Sequence, residues 1–236
     1  KMPWIHFPSC DKGDPGTSRD FRYLGQVASF VWFDDKEKDN DLKRFMRDHI
    51  HLREEAFYYA SFIVQKLGAF QYAAMHIRRN ELQYKESFIE AEHSLKNIKP
   101  LLKEKEVIYI ATDEKDPRFF AAIEKEYTVY KWQDFVEKDG KMYIGDDIEI
   151  PRKYEGVIEM AVCGMARIFF GTDTSTFTAY ITRLRGYFDA PDKSTYHHNE
   201  QWTGDLKKDS SKHHKLWGQT YMDEFPEMWE NIAGTF

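Results

Sequence analysis

Short apolar runs alternate with helix-length amphipathic segments, which predicts an α/β protein built on a parallel sheet with helices on its faces. Three observations carry that reading. Strand-like runs at Phe70–Met75, Val107–Ala111, Tyr127–Lys131 and Arg167–Phe170 are separated or followed by helical patterns. The helix ends carry expected punctuation: Gly68, Pro100, the Asp116-Pro117 pair and Pro151. Three polar motifs directly follow strands: HIRRNE (His76–Glu81), ATDE (Ala111–Glu114) and GTDTSTF (Gly171–Phe177). With right-handed crossovers, all three fall on one edge of the sheet, at the strand carboxyl ends.

Taken in order, Trp4–Phe7 reads as a short strand and Ser9–Ser18, rich in Gly, Pro, Asp and Ser, as a loop. Phe21–Phe33 is aromatic and apolar, and Asp34–Asp41 is a charge run expected to be solvated. Leu42, Phe45, His49, Leu52, Ala56, Tyr59, Ile63 and Leu67 recur at helical spacing, so one long helix is expected from Asp41 to Leu67. Asn40 or Asp41 caps its start and Gly68 its end. A helix near Glu86–Lys99 follows the Phe70 strand, and Asp116-Pro117 opens another after VIYIA. Glu137–Asp147 reads as a polar excursion. Pro151 starts a helix to about Ala166, and GTDTSTF leads into one through about Arg185. After Gly186 the chain turns polar and is expected to wrap the surface.

Composition bounds the function. The chain has 236 residues, enough for a substantial core. Its net charge is -6, which does not suit a basic nucleic-acid binder. Aromatic residues make up 16%, while the mean hydropathy of -0.69 implies a very polar surface. Nothing approaches the ~20 apolar residues of a membrane-spanning helix. The chain begins at Lys1 with neither an initiating methionine nor a signal peptide, and reads as a piece of a longer protein. Cys10 and Cys163 are compatible with a bridge or with two buried thiols. No closely spaced ligand set for zinc is present, and the pairs His197-His198 and His213-His214 read as solvated rather than metal-binding.

The motifs suggest anion chemistry. Ligands of open α/β sheets bind beyond the carboxyl ends of the strands. A burst of His76, Arg78 and Arg79 there suits phosphate oxygens, since guanidinium offers a planar fork of donors; solvated surface charge is the alternative. Thr172, Thr174, Ser175 and Thr176 lie at a helix start, where hydroxyls, backbone N–H groups and the macrodipole favour an anion. An ordinary helix cap would look the same, and Asp173 would repel a diphosphate unless it faces away. Asp113 and Glu114 suit a ribose, a base or an arginine, or cap the next helix. Glu159 flanks an apolar helix face, where a carboxylate can accept from the N1–H and amine of guanine or form a surface salt bridge.

An apolar strand ending in HIRR, a later ATDE, and VIEMAVCGMARIFFGTDTSTFTAYITRLRG together resemble the GDP-fucose-dependent fucosyltransferases, above all the protein O-fucosyltransferases. The resemblance runs from about Trp4 to Gly186 and is strongest at Met75–Asn80 and Gly156–Gly186. It implies a Rossmann-like, nucleotide-sugar-binding domain over residues 1–186, the C-terminal half of a GT-B fold, with a polar extension at 187–236. It implies inverting, metal-independent transfer of fucose from GDP-fucose to a hydroxyl acceptor on protein or glycan, with no cofactor beyond the donor.

Residue by residue, the resemblance assigns His76 and Arg78 to the basic motif, with Arg78 holding the β-phosphate as the catalytic cation and Arg79 supporting it. Ser175, Thr176 and Phe177 match the diphosphate segment, Glu159 the acidic position against guanine, and Asp113 the ATD position near the nucleotide. Asn80-Glu81 departs from the aspartate that often follows the basic motif, and Glu159 is longer than the usual aspartate. Acceptor binding in the family draws on an N-terminal half not found here, so a non-catalytic GDP-sugar-binding module or a glycan-directed fucosyltransferase are the alternatives. The resemblance further implies the endoplasmic reticulum or Golgi lumen, which would permit a Cys10–Cys163 bridge.

Overall fold

The computed structural model describes residues 35, 37–38, 41, 52–79, 88–138, 141–144, 148–172, 175–188, 190 and 194–199. The chain divides into two compact units, Lys1–His51 and Leu52–Phe236. In the first, the Asp35 carboxylate accepts from the backbone N–H of Glu37 and Lys38 at 3.0 and 3.3 Å. The readings placed on Trp4–Phe33, Cys10 and His49 lie outside the described residues.

The second unit opens with α1 (Glu54–Leu67), which buries Ala56, Ala60, Ile63, Val64 and Leu67 along one stripe. The single helix expected from Asp41 is corrected here. Arg53 is extended (φ -63°, ψ 146°), and Glu54 and Glu55 then supply the acidic first turn that favours a new helix start. Gly68 ends α1 as expected, with φ 84° and its N–H donating to the Val64 carbonyl at 2.8 Å.

Strand β1 is Ala73–Ile77, not Phe70–Met75. Phe70 is left in a left-handed turn at φ 57° and is half exposed, whereas all of AAMHI is buried. His76 therefore lies within the strand rather than beyond it. Next come α2 (Ala91–Ile98), β2 (Val107–Thr112), α3 (Ala121–Glu124) and β3 (Thr128–Lys131). Asp116 caps the turn before α3, accepting from the Arg118 N–H at 3.0 Å, with Pro117 in the first position.

The polar excursion is a small sheet. After α4 (Gln133–Val136), strands β4 (Glu137–Lys138), β5 (Lys141–Ile144) and β6 (Ile148–Glu149) pair antiparallel. Then follow α5 (Glu155–Gly164), β7 (Ile168–Gly171), α6 (Thr176–Tyr187) and β8 (Thr195–His197).

The main sheet is parallel throughout, in the order β3-β2-β1-β7-β8. Strands twisted this way alternate their side chains between faces, and two cores result. One packs Ala60, Ile63, Ile158, Ala161, Val162 and Ile181 of α1, α5 and α6 on the face carrying Ala74, Tyr109 and Ala111. The other packs Leu95 and Ile98 of α2 on the opposite face, with Met75, Ile77, Ile110 and Phe170. The α/β fold with a parallel sheet and helices on both faces is as the sequence predicts. At the amino ends of the strands, Glu106 and Arg167 form a two-pronged ion pair at 2.6 and 2.7 Å.

The strand order has a switch point. From β1 the chain winds outward through β2 to β3, then returns to place β7 on β1's other side and β8 beyond it. At such a reversal the crossovers leave on opposite faces and a crevice opens at the carboxyl ends. The described residues there are Arg78, just past β1, and Thr172 and Ser175, past β7.

Candidate functional site

Arg78 leaves β1 with its backbone fixed and its side chain about a third exposed. Its N–H donates to the Thr172 hydroxyl at 2.9 Å, and its Nη1 lies 2.7 Å from Asp113 Oδ2. Asp113 is just past β2, the neighbour of β1 in the sheet, and its Oδ1 accepts the Arg79 N–H at 2.7 Å. One carboxylate thus orients the guanidinium and clamps the chain behind it. A guanidinium has five N–H donors, and Asp113 is the side chain's partner among the described residues.

Arg79 goes elsewhere. Its Nε donates to Glu114 Oε2 at 3.0 Å and its Nη1 to the Ile89 carbonyl at 3.2 Å. Its guanidinium lies over the rings of Phe119 (4.3 Å) and Phe88 (5.5 Å). Glu114 also accepts from the N–H groups of Asp116 and Lys115, and these bonds with Arg79's charge hold its carboxyl below the usual range.

His76 is buried and stacks on Phe177 of α6, with ring centres 4.5 Å apart and planes at 28°. Its Nδ1 lies 2.9 Å from the Thr178 hydroxyl. Burial, reinforced by His198 and Arg78, lowers its pKa to about 3. The reading of His76, Arg78 and Arg79 as one cation cluster is corrected accordingly: His76 is a neutral packing residue, and Arg79's charge is neutralised by Glu114 and covered by aromatic rings.

The β7–α6 segment is built around close approach. A Cβ on Gly171 would stand 2.1 Å from Thr178 Cγ2. Gly171 is therefore required because α6 packs directly on the end of β7, and not because a turn needs a left-handed residue. Ser175 is buried, and its N–H donates to the Thr172 carbonyl at 3.4 Å. Thr176 and Phe177 form the first turn of α6, whose opening N–H groups have no intrahelical acceptors. Thr174 and the repulsion expected from Asp173 fall outside the described residues. Thr172 joins the two arms, since its hydroxyl holds Arg78 and its carbonyl holds Ser175.

Glu159 is buried on α5, with Oε1 accepting from the Tyr109 hydroxyl at 3.2 Å. Burial, with the nearby charge of Glu155, raises its pKa to about 8, so it is a neutral acid at pH 7. It is buried among core residues and not at a solvated salt bridge. Gly156, nearer the start of α5, lies 3.6 Å from the Phe177 ring by its would-be Cβ, which brings α5 to the same edge as α6.

The expected solvation of the His197-His198 pair is corrected by the structure. His198 is buried, donates its N–H to the Gly171 carbonyl at 3.0 Å, and places its ring between Thr172 and Ser94. The polar context of YHHNE hid this; the signal that could have found it is Ser194–Tyr196, a short β-capable run beside a strand already ending in glycine. Cys163 is a buried free thiol whose pKa burial raises. Among the described residues, no group of three or more His, Cys, Asp or Glu is arranged to hold a metal ion. No described helix is long and apolar enough to cross a membrane.

Solved structures of POFUT1 in complex with GDP resemble the chain. One (crystal-form-III) has 11% identity and a TM-score of 0.41, covering 71% of this chain and 51% of that one. A second, a high-resolution dataset, has 14% identity and a TM-score of 0.41, covering 78% and 61%. The chain thus spans about half to three fifths of the length of these proteins. No curated protein matches it. The family model for GDP-fucose protein O-fucosyltransferase matches residues 17–188, and the chain belongs to that family.

Proposed function

We propose that this chain is the donor-binding, C-terminal half of a GT-B fucosyltransferase that moves fucose from GDP-fucose to a hydroxyl on protein, with inversion and without a divalent metal. One observation carries the reading. At the switch point of a parallel sheet, a carboxylate-oriented arginine and a hydroxyl-bearing helix start meet through a single threonine, Thr172.

In this reading the donor's diphosphate lies between Arg78 and the first turn of α6. As the fucose–phosphate bond breaks, the sugar gains oxocarbenium character and the electron pair stays on the β-phosphate oxygen. Arg78, held by Asp113, together with the hydroxyls of Ser175 and Thr176 and the Thr176 N–H, receives that charge; preorganised donors of this kind contribute about 3–4 kcal/mol each. Side-chain charge does the neutralising, so no metal is required. Asp113 faces the nucleoside in this reading; Glu159, buried and neutral against Tyr109, takes guanine only by giving up its proton and its bond to the Tyr109 hydroxyl. His76 and Phe177 act through their stack, which sets the start of α6 against the end of β1. The acceptor and any base that deprotonates it belong to the remainder of the protein, and the enzyme works in the endoplasmic reticulum or Golgi lumen.

Calorimetry of the chain against GDP and UDP, with and without a chelator, tests the donor assignment. The expected result is GDP binding that exceeds UDP binding and is indifferent to chelator. Tighter UDP binding, or binding that needs a divalent ion, overturns it.

A further inference from the structure

Thr172 is almost fully buried, and its one hydroxyl has three partners. These are the His76 carbonyl at 2.9 Å, the Arg78 N–H at 2.9 Å and His198 Nε2 at 3.0 Å. A hydroxyl has one proton to give and two lone pairs to offer. The carbonyl can only accept, so it takes the proton. The Arg78 amide can only donate, so it fills one lone pair. The remaining contact is a hydrogen bond only if His198 carries a proton on Nε2.

The other ring nitrogen agrees. A neutral imidazole protonated at Nε2 has a bare Nδ1, and Nδ1 of His198 stands 2.9 Å from the Ser94 hydroxyl. Ser94 also lies 3.4 Å from the Glu90 carbonyl, the longer of its two options. Burial, with the charges of His197 and Arg79, lowers the His198 pKa to about 3 and keeps the ring neutral. The backbone of His198 is fixed independently: its N–H donates to Gly171, and its carbonyl accepts from Asn97 Nδ2 at 3.0 Å. The ring therefore projects from just past β8 at a set position, braced by α2.

We infer that His198 is a positioning residue for the donor edge: its Nε2–H holds the Thr172 hydroxyl in the rotamer that ties down the His76 carbonyl and the Arg78 amide, and so sets where the Arg78 guanidinium emerges. The role rests on the donor reading above. It acts at a distance, since His198 touches neither Arg78's guanidinium nor the first turn of α6 among the described contacts. It also spans both arms, because the residue whose hydroxyl it holds accepts the Ser175 N–H through its carbonyl.

Two replacements separate positioning from packing. His198→Gln carries an amide N–H out to where Nε2 stood and keeps the bond to Thr172. His198→Asn reaches only as far as Nδ1, keeps a partner for Ser94 and leaves Thr172 unheld. GDP binding to the full chain is measured by calorimetry for both, and the wild-type tautomer is read by long-range proton–nitrogen NMR. The expected result is a proton on Nε2, GDP affinity for the Gln variant within about threefold of wild type, and a loss of about tenfold for the Asn variant, the size of one hydrogen bond. Thr172→Val should match the Asn variant and Thr172→Ser the wild type. A proton on Nδ1, or equal GDP affinity in the Gln and Asn variants, overturns the role and leaves the donor reading intact. A wild-type chain that takes up no GDP overturns the donor reading, and the role of His198 with it.

Discussion

Arg78 and Arg79 are consecutive, yet they serve opposite faces of the sheet. Toward α5 and α6, the side of His76 and Phe177, Arg78 keeps a partly exposed guanidinium steered by Asp113. Toward α2, Arg79 is closed in by Glu114, the Ile89 carbonyl, Phe88 and Phe119, the last packed on the core of that face. The same split separates the histidines: His76 rests on α6, and His198 rests against Ser94 and Asn97 of α2. In the proposed reading, one face presents groups to the donor and the other holds those groups in register. Arg78 and Arg79 both lie just past β1, and the alternation of that strand delivers successive side chains to different environments.

The sharpest way to break this comparison is to remove each arginine in turn. Arg78→Ala should cost about a hundredfold or more in GDP affinity, the loss of a preorganised phosphate donor, with little change in the unfolding midpoint. Arg79→Ala should do the reverse, with destabilisation of about 2 kcal/mol from the lost aromatic and carboxylate contacts and GDP affinity within a few-fold of wild type. Denaturant melts beside calorimetry read both. If Arg79→Ala abolishes binding in a fully folded chain, the division between the faces fails.

A smaller effect is expected where the strand and α6 touch. Gly171→Ala drives a methyl into Thr178 and should destabilise by about 1–3 kcal/mol. Adding Thr178→Ser, which removes the clashing Cγ2, should restore part of that loss. Failure of the pair to recover any stability would remove the steric account of Gly171.

The smallest effect treats the two faces alike. His76 and His198 both have folded pKa values of about 3 against an ordinary 6.5, so the folded chain binds fewer protons than the unfolded chain between those limits. Their contribution is intact above pH 6.5 and drains away as pH falls toward 3. Replacing either by Gln should flatten the fall in stability by about 1 kcal/mol per pH unit between pH 6 and 5. Thermal melts across that window, compared with wild type, show whether each histidine is neutral in the fold.

Much of the fold is legible in the sequence, and the features that are not have physical reasons. Periodicity and punctuation found the alternating strands and helices because long apolar stripes and Pro or Gly stops are local signals. The apolar spacing of Asp41–Leu67 continues through Leu52 and so predicts too long a helix, while the break at Arg53 is a backbone event without a proline or glycine to mark it. The small sheet at 137–149 escaped because strands of two to four residues carry too few side chains to show a period. At the site, the types of residue were readable and their allegiances were not. Arg78 and Arg79 look alike in sequence, and only the partners each meets past the end of β1 tell them apart. His198 was hidden by composition, since a histidine among polar neighbours is buried only when a fifth strand draws it in.

Arg185 gives the edge strand a further consequence. Buried near the end of α6, its guanidinium donates to the carbonyls of Gly164, Ala166 and Ser194 and to the hydroxyls of Ser194 and Thr195. Two of those residues lie past the close of α6, in the short stretch that becomes β8. A shortened version stopping at Phe188 would keep HIRR and GTDTSTF whole, yet strand a cation inside the protein with half its acceptors gone. Boundaries for expression or domain grafting therefore belong beyond Thr195, a limit set by one arginine's solvation needs and not by the reach of any motif.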